Sequence, residues 1–210
     1  MKIKKSNATN PIAWSEYLRV IGCLRENGEW RDLLLWVLAG HTAYRVSDYC
    51  DMTWGFIYGQ EAITILERKH RWMSKAARTV RLGESVLDTL EECRQHLNPN
   101  SIMTWHLFRP ERGGRRVDGV RVAMTRHGVN WALKAIAKRY GITDDISSHT
   151  LRKSFALHAY EMLGSDHMAL MTVSTMLGHT STNTTLTYLG ITQKKIDFVY
   201  NNLSRLGATI

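Results

Sequence analysis

Late in the chain, His149-Thr150-Leu151-Arg152 is followed by Leu177-Gly178-His179 and, nine residues after that histidine, by Tyr188. These segments bring together two imidazoles, a guanidinium and a phenol. None would ordinarily hold a metal, a nucleotide cofactor or an acyl group. Together they are what is needed to clamp a phosphodiester and attack it with a tyrosine. His149 and Arg152, three residues apart, share a helix face. Near a helix start they would add an imidazole donor and a bidentate guanidinium to backbone N–H groups that already favour an anion. Alone the pattern is weak, because a surface His and Arg on a helix is commoner. His179 projects from the turn made by Gly178, or caps the preceding helix. Tyr188, at helical spacing from leucines, would by itself be a core residue with its hydroxyl at the edge.

The elements that must position these groups follow from periodicity. Residues 12–26 and 29–41 have apolar positions at helical spacing, and Leu33, Leu34, Leu35, Val37 and Leu38 predict a helix buried on most sides. A third helix is expected from Val46 to Thr53. The period then changes, and residues 62–66 and 77–82 read as two antiparallel strands joined by a basic loop over 68–75. Helix returns at Glu84–Leu97 and stops at Asn98-Pro99-Asn100. Residues 109–121, with five arginines and three glycines, read as a mobile basic loop. Thr125 caps a helix through Tyr140, ended by Gly141. Ser147 and Ser148 cap the helix with His149 and Arg152. Asp166 starts a helix ending at Leu177, and Ser181 caps a short one with Tyr188. A last amphipathic helix is expected over Thr192–Leu206. The fold class is α+β, mostly α-helical with a small antiparallel β-sheet.

The chain has 210 residues, 44% of them hydrophobic, which is enough for a core. Twenty-eight Lys and Arg against 19 acids give +9, a surplus suited to a polyanion. Solubility alone would also explain it. Cys23, Cys50 and Cys93 have no metal-like spacing and read as buried thiols of a reducing cytosol. No signal peptide or membrane-spanning run is apparent, so the expected location is cytoplasmic, on the nucleoid when bound to DNA.

The conjunction of H-x-L-R, L-G-H and T-T-x-x-Y, with Thr42-Ala43-Tyr44-Arg45-Val46-Ser47-Asp48 upstream, resembles the catalytic domain of the tyrosine recombinase (phage integrase) family over about residues 12–200. The layout is similar to that of the small one-domain fimbrial invertases, or to a fragment lacking an N-terminal DNA-binding domain. The resemblance implies a catalytic set of Arg45, Lys69, His149, Arg152, His179 and Tyr188. Asp48 would orient Arg45. Between Thr42 and Arg45 the family usually has Gly and Leu or Met; this chain has Ala43 and Tyr44. Lys69 ends the first strand and aligns best with the family lysine, with Lys75 a supporting competitor in a longer loop. The domains implied are a polar lead (1–11), the catalytic domain (12–190) and a C-terminal helix (191–210) that docks on a neighbouring protomer or packs on its own chain.

The chemistry implied is strand cleavage without metal, ATP or any cofactor. Free tyrosine has a pKa near ~10 and is a poor nucleophile at neutral pH. Two arginines and His179 would neutralise the non-bridging oxygens. His149 would assist proton removal, and the hairpin lysine would protonate the leaving 5′-oxygen. The product is a 3′-phosphotyrosine that a 5′-hydroxyl of another strand can reverse. Arg71, Arg109, Arg112, Arg115, Arg116, Arg121, Arg126 and Lys134 are expected to contact DNA, and Asn130 either a base edge or solvent. The partners implied are double-stranded DNA with specific recombination sites, a tetramer of the chain on that DNA, and accessory DNA-bending proteins, with no membrane. The alternatives are a type IB topoisomerase-like relaxation activity and a non-catalytic DNA-binding regulator.

Overall fold

The apolar run at Leu33–Ala39 is too continuous for a one-sided helix, and it becomes the element around which the first part of the chain packs. A computed structural model describes residues 10–65, 77–110, 116–117, 119–143, 146–191, 198 and 202. The chain divides into two compact units, Met1–Phe155 and Ala156–Ile210.

In the first unit, α1 (Trp14–Glu26) and α2 (Trp30–His41) form an antiparallel pair, with α2 also against α5 (Glu84–Leu97) and α6 (Arg126–Arg139). Every residue of α2 from Asp32 to Gly40 is buried. Gly40 is required by packing: a Cβ there would stand 2.3 Å from the buried ring of Tyr17. That ring stacks between Trp14 and Trp36, at 4.4 and 6.0 Å. Buried Asp32 is paired with Arg31 and approached by Arg139, which removes the penalty of an isolated charge.

The helix expected over Val46–Thr53 is shorter. α3 covers Val46–Cys50, and a separate turn of helix, α4, covers Trp54–Ile57. The cause is competition for backbone groups. Thr53 pairs with His106, Trp54 N–H donates to the Trp105 carbonyl, and the Met52 carbonyl accepts from Leu107 N–H. A continuous helix would forfeit those bonds. β1 (Ala62–Ile65) and β2 (Arg78–Arg81) pair antiparallel, Ile63 opposite Val80 and Ile65 opposite Arg78. A second, two-residue ladder joins β3 (Arg116–Val117) to β4 (Val120–Arg121). So part of the stretch read as an unstructured basic loop is a small hairpin, turning at Gly119 with φ of 77°.

Capping follows the side chains available. Thr125 accepts from Gly128 N–H at the start of α6. α7 (Ser148–Met162) begins in the first unit and ends in the second, with the Thr150 hydroxyl accepting from Ser147 N–H at its start. In the second unit, α8 (His167–Leu177) packs on α9 (Thr182–Leu189). Asp166 and Ser181 accept from Ala169 and Asn183 N–H, in the capping positions read from sequence. The helix expected over Thr192–Leu206 lies mostly outside the described residues. No helix among the described residues is long and apolar enough to cross a membrane.

Candidate active site

In the first unit the candidate residues converge on one backbone turn. α2 ends at His41, and the chain reverses through Thr42 and Ala43 before α3. Ala43 adopts φ of 51°, the left-handed region that disfavours a side chain. Three interactions hold it. Arg152 Nη1 donates to the Ala43 carbonyl. Arg78 Nη2 donates to the same carbonyl at 3.2 Å, and its Nη1 to the Thr42 carbonyl at 3.3 Å. Thr42 Oγ1 turns back to the Leu38 carbonyl at 2.7 Å.

Arg45 follows at the N-cap of α3. Asp48 supports it through the backbone: its Oδ2 accepts from Arg45 N–H at 3.0 Å. That is half of a capping box, with the carboxylate also near the positive end of the helix. Tyr44, where the family usually has Leu or Met, is buried and spans to the hairpin. Its hydroxyl lies 2.9 Å from the Ile63 carbonyl and 3.0 Å from the Arg78 carbonyl, donating to one at a time. Burial pushes the phenol up to about 12, so the hydroxyl keeps its proton as a donor. Tyr49 in turn donates to the Tyr44 carbonyl at 2.7 Å.

His149 and Arg152 share a helix face, as their spacing predicts, yet differ in burial. Arg152 is 3% exposed in the second turn of α7, whereas His149 is open to solvent. The His149 imidazole is nonetheless lowered from its ordinary value. Desolvation by the protein around the ring is the first cause, followed by the positive charges of Arg152, Lys153 and Arg45. The ring is therefore biased towards its neutral, proton-accepting form. Burial and the neighbouring Arg152 charge pull Arg78 down to about 10, still protonated at neutral pH.

In the second unit the turn after α8 is closed by Gly178 N–H to the Thr175 carbonyl and His179 N–H to the Ser174 carbonyl, both 3.0 Å, with Gly178 at φ of 64°. This paired bonding terminates the helix. His179 Nδ1 lies 2.9 Å from the Thr185 hydroxyl, which is fully buried. The imidazole meets the Tyr188 ring edge-on, centroids 5.3 Å apart at 81°. Thr185 and Tyr188 are three apart on α9, so one helix face positions both the phenol and the histidine.

Arg78 and Thr185 are the residues that sequence reasoning missed. A basic side chain on a strand and a buried threonine three residues before Tyr188 were faint signals. Asn130, read as meeting a base edge or solvent, and Arg109, read as a DNA contact, both make contacts within the chain. Asn130 Oδ1 accepts from Ser148 N–H at 3.0 Å and so fixes the start of α7. The Arg109 guanidinium stacks 3.6 Å from the Trp105 ring and caps α5 through the Leu97 carbonyl. Arg116 is exposed on β3 and donates to the Gly119 carbonyl, while Arg126 and Lys134 are exposed on α6. Arg121 lies on β4. Lys69, Arg71, Lys75, Arg112 and Arg115 lie outside the described residues. Among the described residues no cluster of His, Cys, Asp and Glu could hold a metal.

The phage integrase family model covers residues 13–195, and the chain belongs to that family. Tyrosine recombinase XerD of Listeria innocua is 35% identical over 128 residues, covering 59% of this chain and 39% of the relative. XerC of Staphylococcus epidermidis is 35% identical over 79 residues, covering 38% and 25%. The chain thus spans well under half the length of the curated relatives it matches. Among solved structures, XerA recombinase superposes with a TM-score of 0.67 at 19% identity over 96% of this chain and 66% of that one. A lambda integrase fragment bound as a dimer to a COC′ core site gives 0.61 at 19% identity, over 89% and 61%. These likenesses show the fold: mostly helical with small antiparallel strands.

Proposed function

We propose that the chain is the catalytic portion of a site-specific DNA recombinase that breaks and rejoins DNA through a 3′-phosphotyrosine. The observation that carries this reading is the Arg152 guanidinium on the carbonyl of the Ala43 turn, which leads into Arg45, with His149 three residues before Arg152 on α7, in a chain that also holds His179 and Tyr188 ring to ring. A phosphodiester gripped there would meet cations and donors already ordered before it arrives, the arrangement that lowers the cost of a developing pentacoordinate charge. Arg45 and Arg152 would neutralise the non-bridging oxygens. His179, oriented by Thr185, would donate from Nε2 to the same phosphate. His149, biased towards neutrality, would accept the Tyr188 proton, and Tyr188 Oη would form the new P–O bond as the 5′-oxygen leaves. That oxygen takes its proton from the hairpin lysine, Lys69 or Lys75. ATP is not needed for religation, because the phosphotyrosine ester conserves the energy of the broken bond.

The solved relatives bound to DNA, among them XerH on its difH substrate, support duplex DNA as the partner. Residues 12–190 would be the catalytic domain and 191–210 a helix that docks on a neighbouring protomer in a tetramer on paired sites, assisted by DNA-bending proteins. Arg116, Arg126 and Lys134, with basic residues at 71, 112, 115 and 121, would supply phosphate contacts.

The test does not require knowing the site in advance. The protein is expressed with an affinity tag in bacteria bearing candidate DNA, captured under denaturing conditions, and the covalently attached DNA is sequenced. One recurring sequence, lost with Tyr188→Phe, is expected. Recovery of no DNA, or of the same DNA with Tyr188→Phe, overturns the reading.

A further inference from the structure

Two guanidinium groups, from Arg78 and Arg152, donate to one carbonyl, that of Ala43. Like charges so close repel, and the arrangement persists because Arg78 is tied elsewhere as well. Arg78 is fastened three ways. Its backbone pairs with Ile65 across the hairpin, its carbonyl lies within reach of the Tyr44 hydroxyl, and its guanidinium lies 4.1 Å over the Tyr44 ring. Its two terminal nitrogens form a fork on the Thr42 and Ala43 carbonyls, a planar pattern that lysine cannot reproduce. The fork thus stabilises a left-handed, non-glycine turn that backbone preference alone opposes. The turn leads directly into Arg45, and its carbonyl orients Arg152.

We propose that Arg78 is a positioning residue for the phosphate-gripping arginines, acting through the Ala43 carbonyl that it shares with Arg152. The inference rests on the recombinase reading above. Arg78 need not touch the phosphate: it sets the geometry of the turn whose carbonyl Arg152 also uses. Loss of the fork therefore lowers charge neutralisation at the phosphate more than it lowers DNA affinity.

The experiment compares wild type, Arg78→Met and Arg78→Lys on the duplex recovered by covalent trapping. One substrate carries the ordinary scissile phosphate. In a second, a methylphosphonate replaces it, removing the negative charge that the arginines must neutralise. Dissociation constants come from fluorescence anisotropy, single-turnover cleavage from denaturing gels, and folding from circular dichroism.

Arg78→Met is expected to bind DNA within about threefold of wild type and to cleave the phosphate at least about tenfold more slowly. On the methylphosphonate its deficit should shrink to about threefold or less, as expected of a defect in charge neutralisation. Combined with Arg152→Lys it should add little to the Arg152→Lys loss, because both act on one group. Arg78→Lys retains the charge and one donor, so it should cleave the phosphate faster than Arg78→Met and lose its deficit on the methylphosphonate. It carries the test if Arg78→Met does not fold.

Equal deficits on both substrates, a wild-type rate on the phosphate, or full multiplication with Arg152→Lys would overturn the assignment. If wild type itself forms no covalent product with the phosphate duplex, the recombinase reading fails rather than this one.

Discussion

The His179–Thr185 contact supports a sharp prediction. Thr185→Val removes one hydroxyl from a fully buried position while nearly keeping its volume. The lost bond, 2.9 Å to His179 Nδ1, contributes about 1 kcal/mol of net stability in typical settings. Unfolding by denaturant should therefore shift by about that amount with an unchanged slope. The functional cost should be larger. With the hydroxyl gone, His179 loses the partner at Nδ1 that helps fix its tautomer and ring orientation, while the edge-on contact with Tyr188 remains. Removing a whole donor to a developing oxyanion typically costs about 100- to 1,000-fold, so a donor that is present but loosely aimed should cost about 10- to 100-fold. Single-turnover cleavage of the trapped duplex measures this directly. Thr185→Ser, which keeps the hydroxyl, should recover most of the rate. Thr185→Val combined with His179→Ala should cleave no more slowly than His179→Ala alone. Wild-type cleavage by Thr185→Val would refute the reasoning, as would independent losses in the double variant.

Other predictions concern the scaffold, pH and DNA affinity. Gly40→Ala, whose added Cβ would collide with the stacked Tyr17 ring, should lose about 1–3 kcal/mol of stability in denaturant unfolding despite alanine's better helix propensity. His149 binds its proton more weakly folded than unfolded, so its contribution to stability is full above the unfolded value of ~6.5 and is lost as pH falls through the lowered folded value. The cleavage rate should hold at neutral pH and fall below that same range, and His149→Gln should flatten this acid limb. Arg126→Ala and Lys134→Ala, both exposed on α6, should each reduce the slope of log affinity against log salt by about 1, measured by anisotropy titrations, whereas Asn130→Ala should leave that slope unchanged.

Much of this molecule could be read from local chemistry. Thr125, Asp166, Ser181 and Gly178 mark helix ends because capping depends on side chains a few residues away. The unbroken apolar face of α2 announces a central helix, and the motifs from His149 to Tyr188 carry the resemblance to the phage integrase family, whose model covers residues 13–195. What local pattern could not supply was competition between distant segments. α3 stops at Cys50 because residues 103–107 take the backbone groups that a longer helix would use. Asn130 reads from sequence as meeting a base edge or solvent and Arg109 as meeting DNA; in the fold Asn130 accepts from Ser148 N–H, and Arg109 meets the Leu97 carbonyl and the Trp105 ring. The Ala43 turn, with Arg78 and Arg152 on one carbonyl, joins three segments far apart in sequence. Residue types and near-neighbour spacing determine the helices and the reactive groups, whereas the tertiary fold decides which carbonyl, charge or ring each group meets, because only packing brings remote hydrogen-bonding groups within reach.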